Sequence, residues 1–276
     1  MVTLSETWTA PANAATVQAL LVGGGGAGLG YGGGGGSMAF ATLNTTDPVT
    51  VVAGYGGDDS AEFDHGNGGA STVTQAGTTT TAAGGQAGDL QQGASGTNAG
   101  NTFGTDSNYG ALGGGGAGGA APAGPTGEHL GFDGGAGLIV SAAPGVTSLF
   151  ADDATCYAGG GAVTGFENLN SQTVYFAGTP GCRGGSTASL GDNNFTVTPP
   201  DANTGAGGTG SLYGYRPEAG AMGVVVIRYT LATPTTTTTA ALAHTGSSSS
   251  TYLFASLAAL LSGLSLLARA RTRRTQ

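Results

Sequence analysis

Short apolar segments separated by clusters of glycine make up the first 230 residues of this chain. The clearest is 16–22, an apolar and β-branched run that stops at four consecutive glycines, and 224–229 is a second, almost fully apolar one. Both are typical of β-strands. Further strand candidates are 7–11, 37–43, 49–53, 70–75, 78–83, 138–142 and 173–177. No stretch before Thr251 has a helical period, so the pattern predicts an all-β, sandwich-like fold.

The apolar stretch 251–268 belongs to a different region. As a helix its eighteen residues would cover about 27 Å, just short of a hydrocarbon core of about 30 Å. Arginines in the tail predict that its C-terminal side stays in the cytoplasm. The chain therefore divides into a glycine-rich β domain 1–230, a Thr/Pro-rich linker 231–241, a pentapeptide 242–246, a transmembrane helix 251–268 and a basic cytoplasmic tail 269–276.

The pentapeptide is Leu242, Ala243, His244, Thr245 and Gly246. Followed by an apolar span and a basic tail, it resembles a cell-wall sorting signal, in the LAxTG form that class E sortases of high-GC Gram-positive bacteria use. The resemblance implies that a sortase thiolate attacks the Thr245 carbonyl, that Gly246 leaves, and that an amine of the wall precursor resolves the acyl-enzyme. Sortase and peptidoglycan are then the partners, and the protein is inserted in the membrane until cleavage attaches it to the cell wall at the cell surface. A tail-anchored membrane protein of unknown role is the alternative.

Export also requires a signal at the other end of the chain. Residues 1–20 have neither the basic region nor the continuous apolar region of a signal peptide. We therefore expect an upstream segment, or a longer surface protein of which this chain is a piece.

Composition narrows the function classes. The chain has no lysine, and residues 1–232 carry three arginines against sixteen acidic residues, a net charge of −13. Such a surface repels nucleic acid and other anionic polymers.

Most of the 57 glycines lie before Thr230. They predict either a small patch of extended threefold helices bonded through their backbones or a set of long flexible loops. The longest run, 32–36, would extend only about 15 Å, which argues against a large lattice.

The two ends of the body carry the more specific motifs. A Trp-Thr-x-Pro strand leads to a valine-rich run and polyglycine, and Asn-Thr-Gly precedes a Val-Val-Ile-Arg-Tyr strand. These motifs resemble a glycine-rich domain of phage tail proteins and bacterial surface proteins. The resemblance covers about residues 6–230 and is carried by Trp8-Thr9-Ala10-Pro11, 18–26, 32–39, 48–57, Asn203-Thr204-Gly205 and 220–229.

Cys156 and Cys182 are the only cysteines. An even pair in an exported protein predicts a disulfide, and two free buried thiols are the alternative. Metal ligation is not expected, since no histidine lies near either residue in the sequence.

Candidate sites are few. The acidic segment 58–65 could bind calcium or be a solvated loop, and we predict no metal site and no cofactor. His65 and His129 have no partners in a catalytic spacing, so an enzyme is not expected. Aromatic residues among the glycines either fill the interior or form a surface for a glycan or protein ligand, with Tyr213, Tyr215 and Arg216 as the first candidates. The chain is therefore expected to be a non-enzymatic surface protein active in adhesion or surface binding, with a structural wall-coat protein without a specific ligand as the alternative.

Overall fold

The computed structural model describes residues 4–28, 31–58, 66–88, 113–119, 121, 133–169, 172–189, 195–211 and 218–232. Met1–Ala232 form one compact unit, to which all of these residues belong. The linker, the pentapeptide and the apolar stretch 251–268 lie outside the described residues. Within the described part, no helix is long and apolar enough to cross a membrane.

The described residues are all β, which confirms the predicted fold class at that level. The strands are β1 Leu4–Trp8, β2 Ala14–Val22, β3 Met38–Leu43, β4 Val49–Ala53, β5 Ser71–Gln75, β6 Thr78–Ala82, β7 Leu138–Ile139, β8 Cys156–Tyr157, β9 Val163–Leu169, β10 Gln172–Ala177, β11 Ser186–Ser189, β12 Phe195–Thr198, β13 Gly210–Ser211 and β14 Val224–Leu231. Two single 3₁₀ turns, Val140–Ala142 and Ser148–Phe150, are the helical elements among the described residues.

Two antiparallel sheets pack face to face. One has the order β1-β4-β5-β6 and the other the order β14-β2-β3. β2 and β14, which carry the two end motifs, are neighbours, with Val22 opposite Val224 and Val17 opposite Tyr229. Val17 and Leu21 on one sheet meet Val49 on the other in a buried core. The smaller sheets are β10-β9-β13, β11-β12 and β7-β8.

The sheet β14-β2-β3 is covered on its second face as well. There Leu20 and Val22 pack with the fully buried Phe150 of the segment 138–157. β2 is thus buried on both faces from Val17 onward. This explains why its stretch 19–22 is a continuous apolar run rather than an alternation of apolar and polar residues.

Most of the predicted strands are present, with small shifts at their ends. Two predictions differ more. β1 ends at Trp8, so the predicted strand 7–11 is wrong beyond that residue, and in 138–142 the strand stops at Ile139 and a 3₁₀ turn follows. β9, β11 and β12 had no prediction, because their threonine, serine and charged residues do not form an apolar run. These strands are recognised from their backbone pairing with neighbouring strands, which the sequence pattern does not show.

The glycine clusters between the strands form a bundle of extended segments. Eleven segments of the described chain are joined by backbone hydrogen bonds, and we call them the glycine bundle: 23–28, 31–37, 54–57, 66–70, 83–88, 113–119, 133–137, 158–162, 178–185, 204–210 and 218–223. Six of them continue the strands β2 to β6 and β14 directly. The sandwich and the bundle are therefore successive parts of the same chain segments.

Segment 23–28 lies at the centre of the glycine bundle. Its N–H groups donate in turn to three antiparallel neighbours: Gly23 and Gly26 to 31–37, Gly24 and Ala27 to 66–70, and Gly25 and Gly28 to 218–223, over 2.7–3.0 Å. Its carbonyls accept from three parallel neighbours, 54–57, 83–88 and 204–210. A repeat of three residues, each facing a different neighbour, is that of a polyproline II helix with three residues per turn.

The bundle is wider than the small patch that the sequence predicted. Each glycine run is as short as expected, but many short runs lie side by side, so the breadth comes from their number and not from their length. This arrangement satisfies backbone polar groups that would otherwise be buried without partners.

Candidate functional site

The predicted site residues fall into two groups. Cys156 and Cys182 are described, whereas Tyr213, Tyr215 and Arg216, and the sorting residues Leu242, Ala243, His244, Thr245 and Gly246, lie outside the described residues. His65, His129 and all of the acidic segment except Asp58 lie outside them too. Of the aromatic residues among the glycines, Tyr31, Tyr55 and Tyr157 are half-buried.

Cys156 and Cys182 form a disulfide, which is the pairing that the sequence predicted, with their Cα atoms 6.3 Å apart. It joins β8 to a turn in which Gly184 N–H donates to the Gly181 carbonyl. Gly137 lies directly against the bridge, and a Cβ added there would overlap the Cys182 sulfur. The disulfide therefore ties β8 to bundle segment 178–185 at a place where a second bundle segment, 133–137, passes.

The Asn-Thr-Gly motif has a backbone role. Asn203 and Gly205 both adopt left-handed conformations, with φ of 57° and 64°. Asparagine and glycine are the residues that adopt this region most readily. Thr204 between them is buried, and its hydroxyl donates to the Asp201 carbonyl over 2.6 Å. The motif thus turns the chain into the bundle segment 204–210.

Arg228, the arginine of the C-terminal strand motif, holds the turn that covers the second face of the sheet. Its guanidinium donates to the Leu149 carbonyl over 2.9 Å and pairs with the Asp153 carboxylate at 2.5 Å. It also lies over the Phe150 ring, 4.5 Å from the centroid. Gln18, opposite Arg228 on β2, accepts from Leu149 N–H over 2.8 Å. The cross-strand pair Gln18 and Arg228 therefore hydrogen-bonds to the 3₁₀ turn Ser148–Phe150 and holds it against the sheet.

The Asp153 carboxyl has a lowered pKa. The Thr155 side chain, which hydrogen-bonds to the carboxylate, is the main cause, and the Thr155 backbone N–H and Arg228 act in the same direction, while burial opposes them. These contacts hold the loop that carries Asp153 together and join it to Arg228 on β14, so the carboxylate serves the structure. The Arg228–Asp153 contact was not predicted from the sequence, because the two residues are 75 positions apart.

An exposed apolar patch lies at the edge between the two packed sheets. β1 and β14 are outer strands of their sheets. Here the Trp8 and Tyr229 rings lie 6.3 Å apart at an angle of 40°. Tyr229 is 46% exposed and Leu231 on the same strand is 55% exposed, whereas Trp8 is half-buried and packs against the core. We call Trp8, Tyr229 and Leu231 the edge patch.

Within the described residues no group of three or more His, Cys, Asp or Glu side chains could hold a metal ion. The features described above have structural roles: they are the glycine bundle, the disulfide and the turn Ser148–Phe150 that Arg228 and Gln18 hold. These features define the class of the protein as an all-β domain whose interior is built largely from glycine backbone.

Comparison with known families agrees with this class. The chain belongs to the glycine-rich domain family, whose model matches residues 2–230. The match covers the whole body up to the end of the β14 motif. No curated protein and no solved structure matches the chain.

Proposed function

We propose that this chain is a non-enzymatic surface protein, anchored covalently to the cell wall, whose glycine-rich domain serves adhesion or surface binding. The observation that carries the proposal is the order of the pentapeptide Leu242–Gly246, the apolar stretch 251–268 and the four arginines after it. Each part supplies one step: the apolar stretch halts export, the arginines hold the C-terminus inside, and the pentapeptide is presented to a class E-like sortase.

The covalent step proceeds through an acyl-enzyme. The sortase thiolate adds to the Thr245 carbonyl carbon, and the bond between Thr245 and Gly246 breaks with transfer of a proton to the departing amine. An amine of the peptidoglycan precursor then attacks the thioester and releases the thiolate. Thr245 ends in an amide bond to the wall, and the rest of the C-terminus stays in the membrane.

Two features of the folded domain support an extracellular role. A disulfide is typical of proteins that fold in an oxidising compartment. The glycine bundle is held by backbone hydrogen bonds, which do not depend on the protonation or oxidation of side chains. Connecting segments of such a domain can vary without loss of the fold. We assign ligand contact to Tyr213, Tyr215 and Arg216, which are the candidates that the sequence offers.

Replacing the residue at the cleaved bond tests the anchoring. With Thr245→Ala, we expect the protein to move from the fraction that a muramidase releases from the wall to the membrane fraction, since the sortase loses its acyl donor. His244→Ala is the matched control, because the third position of the LAxTG pattern is variable, and it should leave the distribution unchanged. If Thr245→Ala and wild-type protein fractionate alike, the anchoring proposal is wrong.

A further inference from the structure

The edge patch has a second feature besides its exposure: it lies where the chain leaves the folded domain. β14 ends at Leu231, and Ala232 N–H donates to the Asn13 carbonyl over 2.7 Å. We propose that Trp8, Tyr229 and Leu231 form a contact surface for the neutral glycan strands of the cell wall. This inference rests on the proposed function, since wall anchoring determines which polymer the patch meets.

Exposure is the first argument. Among the described residues the exposed large hydrophobic side chains are Ile139, Tyr229 and Leu231, and two of these three lie two positions apart on β14. Aromatic rings at the open edge of a sheet can stack against the apolar face of a sugar ring, while the tyrosine hydroxyl remains free to bond to polar groups. Tyr229 is in ring contact with Trp8, so its exposed ring is not an isolated surface residue.

The position of the patch is the second argument. Thr245 lies thirteen positions after Ala232. Covalent geometry limits that stretch to about 45 Å at full extension. Once Thr245 is joined to the wall, the end of β14 can never move further than this from the attachment point. The edge patch is therefore held among wall strands at high local concentration, and a weak contact suffices.

Charge selects the chemistry of the partner. The domain carries a net charge of −13, and Glu6 is exposed on β1 two residues before Trp8. Anionic wall polymers are repelled by such a surface, whereas uncharged N-acetylhexosamine chains are not. A second copy of this chain would bring two strongly acidic domains together, which disfavours it as the occupant of the patch.

Trp8 provides a direct measurement, because it is the chain's single tryptophan and lies in the patch. The full chain, kept in a detergent without a sugar head group, is titrated with a β-1,4-linked N-acetylglucosamine tetramer while Trp8 emission is recorded. We expect a saturable change. Tyr229→Ser should weaken the affinity roughly 2- to 10-fold, the range of one aromatic contact. Tyr229→Phe, which keeps the ring, should stay within about twofold of wild type.

Ile139→Ser is the matched control, since Ile139 is 44% exposed but lies on β7. It should leave the titration unchanged. The inference is overturned if no saturable change occurs, if Ile139→Ser and Tyr229→Ser have the same effect, or if light scattering shows that Tyr229→Ser only converts a dimer to a monomer. Melting curves of the three variants confirm that each is folded.

The two proposals fail in different ways. The titration does not involve the sortase, so a Thr245→Ala chain should bind the tetramer like wild type. Conversely, a Tyr229→Ser chain should still reach the wall fraction. Wall fractionation of Thr245→Ala that equals wild type, together with saturable sugar binding, would contradict the anchoring alone. Loss of wall fractionation by Thr245→Ala, together with no saturable sugar binding by wild type, would contradict the glycan contact alone.

Discussion

At the scale of the residue, glycine in the bundle is required by space. A Cβ added at Gly23 would overlap the Ala83 carbonyl, and one added at Gly25 would overlap the Ala206 carbonyl. Since both obstacles are backbone atoms of neighbouring segments, no change of side-chain rotamer can relieve them. Backbone conformation is a weaker reason for glycine at these positions, because Gly205 is the one described bundle glycine with a φ in the left-handed region. The glycine content thus reflects close approach of backbones.

Replacing one central glycine tests this. Gly25→Ala should lower the free energy of unfolding by at least about 2 kcal/mol, the usual cost of forcing atoms into a filled interior. Gly119→Ala is the matched control, because a Cβ there has nothing within 4 Å. It should have little effect in a denaturant titration. Equal stability of the two variants would contradict the close approach of segments in the bundle.

At the scale of the element, the sandwich and the covering turn depend on a few polar contacts. Arg228 and Gln18 hold Ser148–Phe150 on the sheet, and Asp153 completes the Arg228 contacts. These contacts place Phe150 in the core beneath them. The arginine of the strand motif is therefore explained by docking of a distant turn.

Asp153 gives this element a pH dependence. Because folding lowers its pKa from 3.8, the carboxylate stabilises the fold fully above that pH, and the contribution is lost as the pH falls through the folded-state pKa. Asp153→Asn should cost about 1–2 kcal/mol at neutral pH, as expected for hydrogen bonds to a charged group. It should also flatten the loss of stability below about pH 4.

The exposed neighbour provides the control for this prediction. Asp152→Asn should keep both the neutral stability and the acid loss of wild type, since Asp152 is exposed. Denaturant titrations between pH 2 and pH 7 measure the effect. Coincident curves for Asp153→Asn and wild type would show that the Arg228–Asp153 contact adds nothing.

At the scale of the whole molecule, the bundle and the disulfide join parts of the chain that are far apart in sequence. Segment 23–28 bonds to segments as distant as 218–223, and the disulfide spans 26 residues. Such long-range connections oppose local opening of the body. The domain should therefore unfold as one cooperative unit.

Removing the disulfide measures its share of this stability. The double variant Cys156→Ser and Cys182→Ser should lose roughly 3 kcal/mol, the chain-entropy value for a loop of this size. Reductant should lower the melting temperature of wild type but leave the double variant unchanged, because no other cysteine exists. If reductant shifts the double variant as well, its effect does not come from this bridge.

The sequence alone predicted most of the strands that carry the packed sheets. β2, β4 and β14 have continuous apolar or β-branched runs bounded by glycine or polar residues, so local pattern suffices to identify them. The even number of cysteines, Cys156 and Cys182, indicated a disulfide through the rule for exported proteins. The sorting pentapeptide and the span after it are also features of order along the chain, and they remain predictions that fractionation must test.

Tertiary structure decided how the glycine segments associate. A run of two to five glycines has the same local pattern whether it is a loop or a strand of a lattice, because it has no side chains to show which face is buried. Which segments become neighbours depends on hydrogen bonds between residues such as Gly25 and Ala221. For the same reason the Trp8–Tyr229 patch and the Arg228–Asp153 contact could not be predicted. Each joins residues far apart in sequence, and local periodicity carries no information about such pairs.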